Sequence, residues 1–453
     1  MTLNRNHIPQ PGAPRLFHFP EFERIQLSNG LKLIYAYRND LPLVNLNLCI
    51  RPSVLLDPPG KEGLANITAA LMDEGTAKRS STQTAEDLEM IGAQLDIHAD
   101  WKAVYLELNT LEWHLEQAVE IFSDIAVNPA FPQHEFDRIK KELIAERMRA
   151  HDNAARVSAE RFTGFLYKDL RYAVPVEGTK ESIENLQLED VQKFFKTHFL
   201  PSRAVLIAAG SVDKEKITAL AEKYFGGWQG MEEAVLPDLK FNEPDETEVY
   251  LIDKPGAAQC ELRMGHLGIE RSNPDYYAVT LMNEILGGFF LSRINMNLRE
   301  KHAYTYGANS GFTFRPGKGP FSVSAAVHNK NIADAVREVL YEIRRLQDEP
   351  VGAEELENAR GQLIEVFPIA FETIEQTALG LANIFVSDLE DDYYHTFREK
   401  IAAISSSDVQ KAAQKYLHPD QTIVVVCGSR KIVEQQLAGH YKTTVYDSHG
   451  RLQ

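Results

Sequence analysis

The chain has 453 residues, too many for one hydrophobic core, and this length predicts about two to four domains. Its apolar and charged fractions, 44% and 25%, are typical of a soluble globular protein. The net charge of −17 argues against a nucleic-acid-binding surface, because contacts with phosphates need a basic face.

Strand-like runs come first in the chain, and helical periodicity follows them. The predicted strands are 31–37, 44–50, 94–99 and 103–109, and the predicted helices are 110–128, 132–151 and 190–198. Segregated strands and helices indicate an α+β sandwich, in which helices pack on an antiparallel sheet.

Two stretches of the first half recur in the second half at nearly one spacing. Residues 190–193, Asp-Val-Gln-Lys, precede a helix, a proline and an apolar strand that ends in Gly-Ser, and residues 408–411 begin the same series. Residues 134–144 are likewise echoed by 354–364. The repetition predicts two tandem copies of one fold, each of about 220 residues.

The segment between the two copies is the predicted linker. Residues 229–248 are rich in Glu, Asp and Pro and show no clear periodicity. The predicted domains are therefore an N-terminal one at 1–228 and a C-terminal one at 249–453.

Two segments carry the most specific motifs. Residues 58–76 contain a Pro-Pro-Gly-Lys turn, then Gly-Leu-Ala, and close with Gly-Thr. Residues 287–307 contain Gly-Gly, Ser-Arg-Ile, Leu-Arg-Glu and an aromatic strand. Together they resemble the pitrilysin, insulysin and mitochondrial processing peptidase family of zinc peptidases. The resemblance implies two homologous α+β domains that form a processing-peptidase-like clamshell around a chamber.

The first segment lacks the family's zinc motif. In the family this segment reads His-x-x-Glu-His, whereas here the corresponding positions are Asn66, Ala69 and Ala70. An alanine offers a metal no ligand, and a neutral asparagine carbonyl is a poor zinc ligand. Glu146 matches the family's third ligand, although an ordinary solvated helix glutamate is the alternative. The resemblance implies a chain that binds no metal or cofactor.

The second segment keeps the family's substrate-binding pair. The family holds its substrate with an arginine and a tyrosine, and Arg299 and Tyr306 match these residues. A guanidinium and a phenol hydroxyl can donate hydrogen bonds to peptide carbonyl oxygens and hold a chain extended. The alternative is that Arg299 pairs with a neighbouring acid and Tyr306 only fills a strand face.

Three small residues lie close to this pair. Gly287 and Gly288 are interpreted as a helix C-cap, where a left-handed conformation is needed. Ala303 stands where the family usually has glycine. The backbone path between Arg299 and Tyr306 can therefore differ from the path in the family.

The other residues that could carry chemistry are interpreted as structural. The fourteen histidines form no His-Glu-x-x-His, and no Gly-x-Ser-x-Gly elbow or phosphate loop is present. His98, flanked by two aspartates, is interpreted as part of a solvated sheet face. Cys49, Cys260 and Cys427 are expected to be buried thiols.

A substrate-binding pair without a metal site predicts a partner chain. The leading hypothesis is a non-catalytic subunit of a heterodimeric zinc peptidase, inactive alone, whose homologous partner carries His-x-x-Glu-His and the zinc. Its substrate is expected to be unfolded peptide. The alternatives are a zinc-free structural protein, like the core proteins of respiratory cytochrome bc complexes, and a homodimeric peptide-binding protein.

The compartment is predicted from the N-terminus. No apolar run is long enough to span a bilayer, and residues 1–22 lack the hydrophobic core of a signal peptide, which predicts a cytoplasmic protein. The same Pro-rich leader also fits the start of a periplasmic or otherwise exported protein whose signal peptide was removed.

Overall fold

Two six-stranded β-sheets, each packed against helices, form the described part of the chain. The structure is a computed structural model and describes residues 17–51, 54–232 and 236–453. The strands of the first sheet are β1 (Glu23–Gln26), β2 (Lys32–Tyr37), β3 (Leu43–Ile50), β4 (Gln94–Ala99), β5 (Val104–Leu111) and β6 (Ala204–Gly210). Those of the second are β7 (Glu248–Asp253), β8 (Gln259–Leu267), β9 (Thr305–Phe312), β10 (Pro320–His328), β11 (Ile423–Gly428) and β12 (Thr443–Asp447).

The helices divide between the two halves in the same way. Those before the second sheet are α1 (Leu64–Ala70), α2 (Ser81–Met90), α3 (Leu115–Val127), α4 (Gln133–Ala150), α5 (Ala154–Tyr167), α6 (Lys180–Glu184), α7 (Leu188–His198) and α8 (Lys214–Phe225). The later ones are α9 (Tyr276–Asn283), α10 (Arg293–Asn295), α11 (Ile332–Asp348), α12 (Ala353–Val366), α13 (Ile374–Val386), α14 (Tyr393–Ala402), α15 (Ser406–Tyr416) and α16 (Arg430–Ala438). Two π-helical turns, Glu284–Gly288 and Met296–Lys301, extend α9 and α10.

Both sheets are mixed. The first has the strand order β1-β2-β6-β3-β5-β4 and the second the order β12-β7-β11-β8-β10-β9. β2 pairs with β6 in parallel, and β7 pairs in parallel with both β11 and β12, while the other pairs are antiparallel. The α+β class with two tandem domains is confirmed, but the expected antiparallel sheets are corrected to mixed ones. The parallel strands are distant in the chain, so no tight hairpin dictates their direction.

The two sheets repeat one arrangement. The series β2-β6-β3-β5-β4 matches β7-β11-β8-β10-β9 in order and in strand direction. The repeated Asp-Val-Gln-Lys lies in α7 and α15, which precede the central strands β6 and β11. Only the outer strand differs, because β1 comes before the first copy and β12 follows the second.

One predicted helix starts later than expected. Thr110 and Leu111 belong to β5, where they pair with Val44 and Leu43 of β3, and α3 begins only at Leu115. Cross-strand pairing therefore overrides the helical periodicity that begins at residue 110.

The two halves exchange helices. α5, from the first half, packs on β8 and β11 of the second sheet, where Phe165 stacks on Tyr250 with ring centroids 3.8 Å apart. α13, from the second half, packs on β3 and β6, and its Leu381 shares a buried cluster with Ile207. Each sheet thus has its second face covered by the other half. Because apolar burial is the main source of stability, the halves depend on one another.

The predicted linker lacks regular secondary structure in its described residues up to residue 247, and the three thiols are buried. The described residues of 229–247 form neither helix nor strand before β7 begins at Glu248. Cys49, Cys260 and Cys427 are buried free thiols, as expected. Within the described ranges, no helix is long and apolar enough to cross a membrane.

Candidate substrate-binding site and degenerate metal position

A buried carboxylate anchors α1, the helix that carries Asn66, Ala69 and Ala70, which the family resemblance matches to zinc-binding residues and which are called here the degenerate metal position. Asp57 accepts hydrogen bonds from the backbone N–H of Gly63 and of Ala65, both at 2.8 Å. Arg171 donates to the same carboxylate at 2.9 Å, and the Asp57 side chain is fully buried. The N-terminus of α1 has unpaired N–H groups that a carboxylate satisfies well. The frame of the helix is therefore fixed without any metal.

Gly63 is required by its backbone geometry. Its φ of 97° lies in the left-handed region, and a Cβ there would come within 2.4 Å of the carbonyl oxygen of Glu177. The Gly-Leu-Ala motif thus begins at a close crossing of two backbone segments.

Asn66, Ala69 and Ala70 lie together on α1 but offer no ligand set for a metal ion. Asn66 and Ala70 are partly exposed, whereas Ala69 is 1% exposed and belongs to the core beneath the first sheet. Among the described residues, no group of three or more His, Cys, Asp or Glu side chains is placed to hold a metal ion. The residues at this position do not fit zinc.

Glu146 lies on α4, which contacts α1, and its carboxylate is engaged by a cation. Arg156 of α5 donates to Glu146 at 3.3 Å. The same guanidinium donates to Glu160 and to Glu177, both at 3.0 Å. One arginine therefore links three carboxylates beside α1, and the backbone of Glu177 is the one that crosses Gly63.

The glycine pair of the second segment serves close packing and not a left-handed turn. Neither Gly287 nor Gly288 is among the glycines with positive φ. A Cβ on Gly287 would come within 2.4 Å of Ser310 Oγ, on β9, and one on Gly288 within 2.4 Å of Glu284 Oε2. The interpretation as a C-cap is corrected, because the absence of a side chain lets the π-helical turn approach β9.

Arg299 lies in the second π-helical turn, which contacts β9. Its guanidinium lies over the ring of Phe290, 4.7 Å from the centroid. Its Nε is 3.3 Å from Oε1 of the adjacent Glu300, and the side chain is 38% exposed. A pair so exposed holds the arginine weakly, so most of the donors remain available to solvent or a ligand.

Tyr306 lies on β9, the edge strand of the second sheet, and is 87% exposed. The pairing of β9 with β10 shifts register here, since Thr305 pairs with Val327 but Ala308 pairs with Ala325. Such a bulge turns a side chain away from the sheet. Tyr306 therefore does not fill a strand face, and its hydroxyl has no hydrogen-bond partner among the described residues.

Ala303 shows how the backbone connects the two residues. Its φ is 52°, in the left-handed region that favours glycine. The N–H of Ala303 donates to the carbonyl of Arg299, and that of Tyr304 donates to the carbonyl of Leu298. The alanine thus adopts the conformation expected of the family's glycine.

The ion pairs beside α1 have no signal in the sequence. Asp57 and Arg171 are 114 residues apart, and no local pattern connects them. Arg156 follows Glu146 closely, but the two residues lie on different helices, α5 and α4, and only the tertiary structure makes them partners.

His98 behaves as the sequence indicates. Its Nδ1 lies 2.9 Å from Oδ2 of Asp96, and its ring stacks on Tyr105 at 5.0 Å. The arrangement is a side-chain contact on the sheet surface.

Comparisons with known proteins agree with this architecture. Residues 34–180 match the family model described as insulinase (peptidase family M16), and residues 185–363 match the model described as peptidase M16 inactive domain. An uncharacterized zinc protease of Rickettsia bellii is 24% identical over 415 residues, which cover 89% of this chain and 97% of that protein.

Two further relatives were found. A probable mitochondrial-processing peptidase subunit beta of Arabidopsis thaliana is 21% identical over 422 residues, covering 90% of this chain and 78% of that protein. The crystal structure of a peptidase M16 inactive domain from Pseudomonas fluorescens superposes with a TM-score of 0.84 at 24% identity, covering 90% and 98% of the two chains. The chain belongs to peptidase family M16, as a member without the zinc-binding motif.

Proposed function

We propose that this chain is the non-catalytic subunit of a two-chain zinc peptidase. It holds unfolded peptide with Arg299 and Tyr306, and a homologous partner chain with His-x-x-Glu-His carries the zinc. One observation carries the proposal: an exposed arginine and tyrosine occur in a chain whose metal position has no ligand set among the described residues.

The surroundings of Tyr306 support peptide binding. β9 has one strand neighbour among the described residues, so its other side can pair with an extended peptide. The Tyr306 hydroxyl and the Arg299 guanidinium can then donate to peptide carbonyl oxygens, which gain negative charge during hydrolysis. Phe290 and Leu291, 55% and 53% exposed, add apolar surface for peptide side chains.

The partner follows from what this chain lacks. Zinc on the partner would supply the Lewis-acid chemistry of peptide hydrolysis. One relative is named as a subunit, which indicates an assembly of more than one chain, and the model matched by the second half is described as an inactive domain. Both names favour a chain that works as part of a pair.

The test is peptide hydrolysis by three samples: this chain, the zinc-bearing homologue from the same cell, and their mixture. We expect hydrolysis of an unfolded peptide by the mixture only. Arg299→Ala should lower kcat/KM of the mixture about 100-fold. The matched control is Arg344→Ala, an arginine of α11 that is also half-exposed and pairs with Asp420 at 2.7 Å. It should leave kcat/KM unchanged.

Two outcomes would overturn the proposal. The first is full hydrolysis by this chain alone. The second is a complex whose activity is equal with Arg299→Ala and with Arg344→Ala, which would favour the zinc-free structural role.

A further inference from the structure

A cavity of about 820 Å³ lies between the two halves, and no residue of α1 or β9 lines it. Its walls come from the first half at Lys32, Arg51 and Lys102, and from the second half at residues 270–277, 314–317 and 385–400. Neither Glu146 nor Arg299 lines it. The cavity therefore belongs neither to the degenerate metal position nor to the candidate peptide-binding surface.

The cavity is basic although the chain is acidic. Seven basic and three acidic side chains line it, in a chain of net charge −17. Arg51 pairs with Asp388 at 2.9 Å. No carboxylate of a described residue lies within ion-pair distance of Arg271, Arg315 or Lys400. Like charges repel in such a confined space, so the cluster is suited to an added negative charge.

The positive charge of Lys102 is only partly compensated by its neighbours. Its ammonium donates to the hydroxyl of Ser387 at 2.9 Å, across the junction of the halves. Burial lowers the pKa of Lys102, Asp100 opposes this, and Arg271 lowers it further. Burial lowers the pKa of Arg315 and the negative charge of Asp100 acts to raise it, so Asp100 also supplies part of the countercharge there.

Aromatic rings hold the two arginines in place. The Arg271 guanidinium lies 3.4 Å from the ring centroid of Tyr276 and 4.7 Å from that of Tyr393. Arg315 lies 4.9 Å from Trp101 and 5.1 Å from Tyr172. Stacking covers the faces of a guanidinium and leaves its in-plane N–H groups to donate.

Three of those N–H donors lack an acceptor in the part of the chain that the structure describes. Nη2 of Arg271, and Nε and Nη1 of Arg315, are buried and have no hydrogen-bond partner among the described residues. Buried donors on a cation are costly to leave unpaired, and native proteins rarely do so without a ligand or water. A planar donor set held by rings fits an oxyanion with two acceptor oxygens.

We propose that this cavity binds a small organic oxyanion with two or more negative charges, bridging the two halves. Its volume suits a molecule larger than a single inorganic ion. Phosphate groups and carboxylates share the required chemistry, and Arg271, Arg315, Lys102 and Lys400 are the expected contacts. Because both halves supply these residues, the ligand stabilises their junction.

The test is titration of the full chain with pyrophosphate and with citrate, against sodium chloride of equal ionic strength. We expect saturable heat in calorimetry and a rise in the thermal midpoint with one of the two probes, as mass action requires for a ligand of the folded state. Pyrophosphate alone would assign a phosphate ligand, and citrate alone a polycarboxylate. The proposal is overturned if both probes match sodium chloride.

Substitutions of cavity-lining residues test whether the probe binds in this cavity. Arg271→Gln should weaken the effective probe about tenfold or more. Lys400→Gln should weaken it too and disturbs the fold less, because among the described residues only the Tyr277 ring, at 5.2 Å, contacts this cation. Arg344→Gln, at a remote exposed arginine, is the matched control and should bind like the native chain. Equal binding by Lys400→Gln, Arg271→Gln and the control would overturn the assignment.

Discussion

The carboxylate of Glu146 accepts a hydrogen bond from Arg156, with 3.3 Å between Oε1 and Nη1. An arginine that also contacts Glu160 and Glu177 thus compensates negative charge beside α1 without a metal. The position differs from a zinc site in its charge partner as well as in its missing ligands. Restoring a metal there requires more than restoring the motif.

The combined variant Asn66→His, Ala69→Glu, Ala70→His tests this relationship. We expect it to bind zinc weakly, because Arg156 competes for Glu146 and because the new glutamate enters a position that is 1% exposed. Adding Arg156→Gln should raise zinc affinity roughly tenfold, since a charge that competes for a ligand is removed. Competition with a chromogenic chelator measures both affinities.

The control for the metal experiment is Arg156→Gln in the native chain, which should bind no zinc. The same zinc affinity with and without Arg156 would contradict the role given to this arginine. Circular dichroism of each variant separates loss of binding from loss of fold.

Tyr306→Phe removes one hydroxyl and nothing else. We expect kcat/KM of the two-chain peptidase to fall about tenfold, the value of one hydrogen bond to a polarised carbonyl. The thermal midpoint should not change, because Tyr306 is 87% exposed. Tyr341→Phe on α11, where the tyrosine is 50% exposed, is the control and should change neither quantity. Parallel losses of activity and stability in Tyr306→Phe would indicate a structural role.

Ala303→Gly should stabilise the protein. The φ of 52° costs an alanine about 1 kcal/mol relative to glycine, and Ala303 is exposed, so little packing is lost. We expect the free energy of unfolding in urea to rise by about 0.5–1 kcal/mol. Ala403→Gly is the control, because Ala403 is also exposed but has a φ of −76°, and it should be neutral or destabilising. A free energy of unfolding lower in Ala303→Gly than in the native chain would contradict backbone strain at Ala303.

Glu284 makes stability depend on pH. The residue is 9% exposed, and burial raises the pKa of its carboxyl to about 7 from an ordinary 4.5. The folded state holds this proton more tightly than the unfolded chain, so the free energy of unfolding falls as pH rises from 4.5 to about 7. Glu284→Gln stays neutral and should be more stable than the native chain at pH 8 by about 1–2 kcal/mol.

Urea unfolding at several values of pH checks the Glu284 prediction. Glu365→Gln, at an exposed glutamate, is the control and should follow the native pH dependence. Identical curves for Glu284→Gln and the native chain would show that this carboxyl does not titrate with folding.

Much of the fold could be predicted from local patterns. The strands at 44–50 and 94–99 and the helix at 132–151 appear within about two residues of their expected limits, because alternation and helical periodicity record which face of each element is buried. The error at residues 110 and 111 arose where strand pairing with β3 outweighed that periodicity.

The sequence by itself determined the duplicated α+β plan, the family and the absence of zinc ligands at Asn66, Ala69 and Ala70, since these depend on residue type and spacing along the chain. Only the tertiary structure decided that the sheets are mixed, that α5 and α13 cross between the halves, that Arg156 engages Glu146, and that Arg271 and Arg315 line one cavity. These features join residues far apart in the chain. Their contacts arise from packing geometry, which no local pattern encodes.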